Sequence, residues 1–150
     1  MKRISKLLIV IMIFASLLMT GCGNKNIEGS LTDIMDKLYE GISEKPMMLS
    51  NIELNDENFE NYAFVDVKYK EAIASESMVG SIPHSVVLIR LENASDADQV
   101  VKDIEKNANP RKWICVEAEN TYVLSKGDLV VLIMSNDNAN KIKENFENLK

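Results

Sequence analysis

VVLIRLENASDADQVVKDI, residues 86–104, decides the fold. Val86 to Leu91 form a continuous, largely β-branched run bounded by turn residues, the pattern of an interior strand with both faces covered. Behind it, Ser95 stands where an N-cap belongs, and Ala97, Val100, Val101, Ile104 and Ala108 recur on one helical face until Asn109-Pro110 stops the helix. A second copy of this plan follows at residues 130–146, VVLIMSNDNANKIKENF. There Asn136 or Asp137 is the candidate cap, and Ala139, Ile142, Phe146 and Leu149 share the inward face.

Each VVLI strand has a partner upstream. Ala63, Val65, Val67 and Tyr69 alternate with Asp66, Lys68 and Lys70, and the apolar set resumes at Ile73 before Gly80, Pro83 and His84. Lys112 to Leu124 (KWICVEAENTYVL) is strand-like, and Ser125-Lys126-Gly127-Asp128 is a turn with the required glycine. Ahead of both units, Leu31, Ile34, Met35, Leu38 and Ile42 mark one face of a helix capped by Ser30 with Asp33 and ended before Pro46. Residues 47–62 are polar and Asn-rich and read as a loop with one helical turn. The predicted class is α+β: an N-terminal helix, then two strand–strand–helix units. They form a four-stranded, mainly antiparallel sheet with helices on one face. About 120 ordered residues bury roughly two-thirds of the unfolded surface, enough for stability without metal or disulfide.

The first residues belong to another physical regime. Lys2, Arg3 and Lys6 open the chain, no acid precedes Glu28, and Leu7 to Met19 (LLIVIMIFASLLM) is an uncharged run of 13 residues. A permanent span needs about 20 apolar residues, so the segment reads as an export signal over residues 1–21. Its exit, Leu18-Met19-Thr20-Gly21-Cys22-Gly23, resembles the lipobox of bacterial lipoproteins, although Met19 stands where that family most often has leucine. The resemblance implies a diacylglyceryl group on the Cys22 thiol and cleavage just before it. Small side chains at Thr20 and Gly21 suit a peptidase cleft, and a thiol is the nucleophile that accepts the lipid. One acyl chain binds a bilayer marginally, whereas two or three on one cysteine anchor it. The implied location is the outer face of the cytoplasmic membrane.

The full chain carries 17 basic and 23 acidic residues, a net charge of −6, which argues against nucleic acid as a partner. Cleavage after residue 21 removes three basic residues and no acidic one, leaving 14 against 23, or −9. Anionic headgroups and wall polymers repel such a domain. Residues 22–30 then form the lipidated cysteine and a tether; eight residues from Gly23 to Ser30 average about 16 Å end to end and reach at most about 28 Å. Residues 31–150 are the single domain. Its one thiol, Cys115, has no intramolecular partner once Cys22 is acylated.

Arg111-Lys112-Trp113-Ile114-Cys115-Val116-Glu117-Ala118, together with Glu76-Ser77-Met78-Val79-Gly80-Ser81 ahead of Ser85-Val86-Val87-Leu88-Ile89-Arg90, resembles a family of small lipoproteins of clostridia and related Firmicutes, domain of unknown function 4358. The resemblance covers about residues 30–150 and implies a location and a domain identity, with no activity attached. A chain of 15 asparagines, with lysine far outnumbering arginine, suits such an origin.

Few residues of the sequence suit bond chemistry. His84 is the only histidine, so ordinary zinc sites and H-E-x-x-H proteases are excluded. Ser81 and Ser85 flank His84, but there is no G-x-S-x-G elbow, and a turn histidine is the simpler reading. Cys115 shares a strand face with Trp113 while Ile114 and Val116 take the other, so a buried, inert thiol is expected. Glu117 and Glu119 read as solvated sheet surface. Asp96 with Asp98, and Asn136-Asp137-Asn138, read as helix caps rather than calcium ligands. No phosphate-binding or dinucleotide motif is present. No enzyme, metal or cofactor is expected. Arg90, Arg111, Lys112 and Trp113 remain as a candidate basic and aromatic ligand-binding patch.

The expected function is a lipid-anchored, non-enzymatic binding or interaction module that touches the membrane through Cys22 and a protein or cell-envelope ligand through its surface. Two alternatives stand beside it. One is a cell-wall or small-anion binding accessory of an envelope or transport system, which needs Arg90, Arg111 and Trp113 in one concave patch. The other is a hydrolase using Ser85–His84 or Cys115.

Overall fold

The computed structural model describes residues 26–150; the segment read as an export signal and Cys22 lie outside them. The elements run α1 (Leu31–Leu38), β1 (Leu49–Glu53), α2 (Phe59–Ala63), β2 (Tyr69–Ser77), β3 (His84–Leu91), a 3-10 turn (Ala94–Asp96), α3 (Ala97–Asn107), β4 (Asn120–Lys126), β5 (Leu129–Ser135) and α4 (Ala139–Glu147). The α+β class holds. Among the described residues the sheet has five strands rather than four, ordered β1-β2-β3-β5-β4, with every neighbouring pair antiparallel.

The helices cover both faces of the sheet, not one. Val86 and Leu88 of β3 and Leu129, Val131 and Ile133 of β5 are buried with α1 and α4. Val87, Ile89 and Leu91, with Val130, Leu132 and Met134, are buried with α2 and α3. Successive side chains of a strand point to opposite faces, so an unbroken apolar run needs cover on each side. The two hairpin-plus-helix units therefore send their helices to opposite faces.

The fifth strand, β1, lay hidden in the polar segment. Only Leu49 and Ile52 of LSNIE pack against the cores, while the strand pairs with β2 from Leu49↔Ser77 to Glu53↔Ile73. It is an edge strand, where polar side chains are the norm. The segment before β4 differs in the opposite sense: residues 112–119 form a loop, and the strand begins at Asn120. The Ala118 amide reaches back to the Pro110 carbonyl at 2.8 Å, and Cys115 takes a φ of 68°. That left-handed turn breaks the alternation that the apolar residues imitate.

The caps follow the sequence in part. Ser30 Oγ accepts from the Asp33 amide at 3.1 Å and donates to its carboxylate at 2.7 Å, closing α1 from the front. The helix stops at Leu38, short of Ile42, where Gly41 adopts a φ of 73°. α3 starts from Asp96 after its 3-10 turn rather than from Ser95, and α4 from Asn138 at φ 62° rather than from Asn136 or Asp137.

Candidate functional site

Strand β3 carries polar residues at each end, and at its start the sheet alternation sends His84 and Ser85 to opposite faces. His84 opens the strand. Its side chain enters the α1 side, where it is 1% exposed. It is a buried strand histidine, not a turn residue. Ser135 Oγ is 2.7 Å from the Asp137 carbonyl and 2.8 Å from His84 Nδ1. A hydroxyl that donates to the carbonyl accepts from the ring, which places the imidazole proton on Nδ1. Nε2 then accepts from Tyr39 Oη at 2.7 Å, and Ser75 Oγ, 3.1 Å from Tyr39 Oη, donates to the phenol.

The chain Ser75–Tyr39–His84–Ser135–Asp137 is thus neutral and satisfied at every atom named. Burial pushes His84 down to about 4, against the opposing charge of Asp137. Burial also raises the Tyr39 phenol, although the Ser75 hydrogen bond opposes this. Such a network holds α1, β2, β3 and β5 in register. Ser135 is oriented as a donor to backbone rather than activated as a nucleophile.

Ser85, the next residue, projects to the opposite face, so Ser85 and His84 make no dyad. Its neighbour is Lys112, whose Nζ lies 3.1 Å from Ser85 Oγ and 2.9 Å from Glu76 Oε2. The ammonium also sits 4.9 Å from the Tyr62 ring centroid and 5.1 Å from that of Trp113. Burial pulls Lys112 below the ordinary lysine range, while the Glu76 carboxylate works against that. A desolvated ammonium held by a carboxylate and two rings is a fastening. It ties the loop between α3 and β4 to the start of β3. Trp113 Nε1 is buried without a hydrogen-bond partner among the described residues.

Beyond the fastening the loop turns outward. Ile114 is 85% exposed, Cys115 is an exposed free thiol, and Arg111 reaches Glu117 at 3.3 Å in solvent, a pair worth about 0–1 kcal/mol. The expected burial of Cys115 fails because the segment is no strand. Native protein without denaturant should therefore react fully with a thiol reagent in a 1:1 ratio with its exposed Cys115. Protection until unfolding would contradict this placement.

Arg90, at the other end of β3, joins neither Lys112 nor Trp113, since its side chain faces the α1 side. Its Nε donates to Glu71 Oε1 at 2.7 Å. One terminal nitrogen reaches the Ile27 carbonyl at 2.9 Å and Asp128 Oδ1 at 3.3 Å, and the other the Gly29 carbonyl at 2.8 Å. The structure therefore brings together Lys112 and Trp113, places Arg111 on the same loop, and removes Arg90 from the patch. Glu76, Tyr62, Asp128, Tyr39 and Ser135 were not legible in the sequence, because their roles depend on partners 36 to 51 residues distant, and for Asp128 also on a turn aspartate folding inward.

The surface has other concavities. A cleft of about 530 Å³ is lined by Glu60, Phe64, Val65, Asp66, Asp103 and Asn107. One of about 350 Å³ surrounds Arg90 and residues 26–29. Among the described residues no group of three or more His, Cys, Asp or Glu converges as metal ligands, and no helix is long and apolar enough to cross a membrane. No protein-family model matches the chain, and searches of curated proteins and of solved structures found no match.

Proposed function

We propose that the chain is a lipid-anchored extracytoplasmic interaction module, held at the outer face of the cytoplasmic membrane through Cys22 and reading a protein or cell-envelope ligand with the loop between α3 and β4. The basic start, short apolar run and Cys22 exit support the anchor, together with the resemblance to the clostridial lipoprotein family. The observation that carries the interaction reading is the loop itself. Lys112 clamps its base to the sheet, while Arg111, Ile114 and Cys115 stand in solvent. A large apolar side chain held outward on a fastened loop is a rigid contact point, for which little ordering entropy is lost on binding.

The small-anion alternative loses Arg90, which is engaged by Glu71, Asp128 and the carbonyls of Ile27 and Gly29. The hydrolase alternative retains only Cys115, because Ser85 and His84 lie on opposite faces.

Two measurements test the reading. In cells, the wild-type protein should incorporate labelled palmitate and remain with membranes through high salt. Cys22→Ser should incorporate none and persist as an unprocessed precursor with an intact signal. Equal labelling of both would remove the anchor. A photo-crosslinker carried on Cys115 in intact cells should give one discrete adduct, lost with Ile114→Asp. A smear unaffected by that change would remove the loop as the contact surface.

A further inference from the structure

The segment leading into α1 does not behave as the free tether its composition suggests. Ile27 is 3% exposed and belongs to the core beneath α1 and α4. Arg90 grips the carbonyls of Ile27 and Gly29, as described above, and Asn26 Oδ1 accepts from the Asp128 amide at 3.1 Å. Gly29 has a φ of 109°, a conformation that side-chain-bearing residues rarely adopt. It lets the chain turn from the Arg90 grip into the Ser30 cap. The grip is itself braced: Asp128 is buried and its carbonyl accepts from the Leu91 amide at 2.8 Å. Charge-assisted hydrogen bonds to carbonyls, made from a guanidinium already oriented by Glu71 and Asp128, hold a segment more firmly than neutral ones do.

We infer that residues 26–29 are a docked strap that fixes which end of the domain faces the bilayer, an inference that rests on the lipid-anchor reading. Four residue steps separate Cys22 from Asn26 and span at most about 14 Å. A free tether to Ser30 would reach about 28 Å and allow the domain to tumble. With the strap docked, the leash is measured from Asn26, which sits at the β4–β5 turn beside the end of β3, so that shorter reach keeps the acyl anchor at this end of the domain. The Lys112 fastening sits at the other end of the same strand, five residues and about 17 Å away. The domain therefore stands with the Arg90–Asp128 end down, and the loop carrying Ile114 and Cys115 points outward.

The test uses the lipidated full-length product in phosphatidylcholine vesicles bearing a headgroup quencher. Acylation occupies Cys22, so a dye on Cys115 reports the outward end. A dye on Glu92→Cys in a Cys115→Ser background reports the inward end. The inward dye should be quenched several-fold more than the outward one. A Gly/Ser insertion of about ten residues after Gly23, which leaves the folded domain untouched, should abolish the difference by adding up to about 33 Å of reach. Arg90→Gln should abolish it by releasing the strap.

Equal quenching of the two dyes in the wild type, or an insertion without effect, overturns the inference while leaving the anchor standing. Failure of the protein to float with the vesicles overturns the anchor and the inference with it. Flotation, read on the same samples, tells the two failures apart.

Discussion

Lowering the pH from about 7 to about 4 should cost the domain about 3 kcal/mol through His84 alone. The sign follows from which state takes up the proton. In the unfolded chain the imidazole protonates near its ordinary value of 6.5, whereas in the fold burial holds it at about 4. Above 6.5 both states are neutral and the contribution is fully present. Between the two values only the unfolded state binds the proton, so stability falls as pH falls, and below about 4 nothing further is lost. The size is the shift of about 2.5 units at 1.36 kcal/mol per unit.

The groups facing the ring are Tyr39 from the end of α1, Ser75 from β2 and Ser135 from β5, with the Asp137 charge opposing the shift. None of them places a carboxylate within hydrogen-bond distance of the ring, so the Asp137 charge offsets only part of the cost of burying an imidazolium. The measurement is urea unfolding at several pH values for wild type and His84→Gln. At neutral pH the variant should be about 1–3 kcal/mol less stable, because Tyr39 and Ser135 lose a fitted partner. That gap should close as the pH drops. Parallel curves for the two proteins would show that His84 does not titrate as its burial demands.

Alanine at Leu132 and alanine at the adjacent Ile133 should each destabilise the domain by about 2–5 kcal/mol. Both side chains are fully buried, Leu132 beneath α3 and Ile133 beneath α1 and α4. Each truncation opens a cavity in a different core. In a sheet with one solvated face, one member of the pair would be a surface change within about 0.5 kcal/mol. A domain of this size has a total stability of about 5–15 kcal/mol, so either variant should show a visibly lowered unfolding midpoint. A loss below 1 kcal/mol at Leu132 or Ile133 would mean that its face is not packed as described.

The same alternation accounts for what the primary structure hid about the candidate site. Ser85 and His84 look like partners because they are adjacent, yet adjacency in a strand places side chains on opposite faces. Ser85 belongs with Lys112 and Glu76, and His84 with Tyr39 and Ser135. The string KWICVEAE imitates a strand in composition. Lys112 is drawn down to Glu76, Cys115 turns left-handed, and the segment stays a loop. Strand β1 shows the converse, since its five residues are too polar to declare a strand and take their conformation from pairing with β2.

Some features were determined by the sequence alone. Ser30 with Asp33 starts α1, the inward faces of α3 and α4 were readable, and Val86–Leu91 and Leu129–Met134 are buried strands. These rest on interactions within a few residues, or on an apolar period that no tertiary context reverses. Only the tertiary structure decided that helices cover both faces, that Arg90 grips residues 27–29 instead of joining Trp113, and that Tyr39 meets His84. Such choices turn on strand order and on which face a helix crosses to. They are contacts between groups tens of residues apart, and loop closure and packing select them only once the whole chain has condensed.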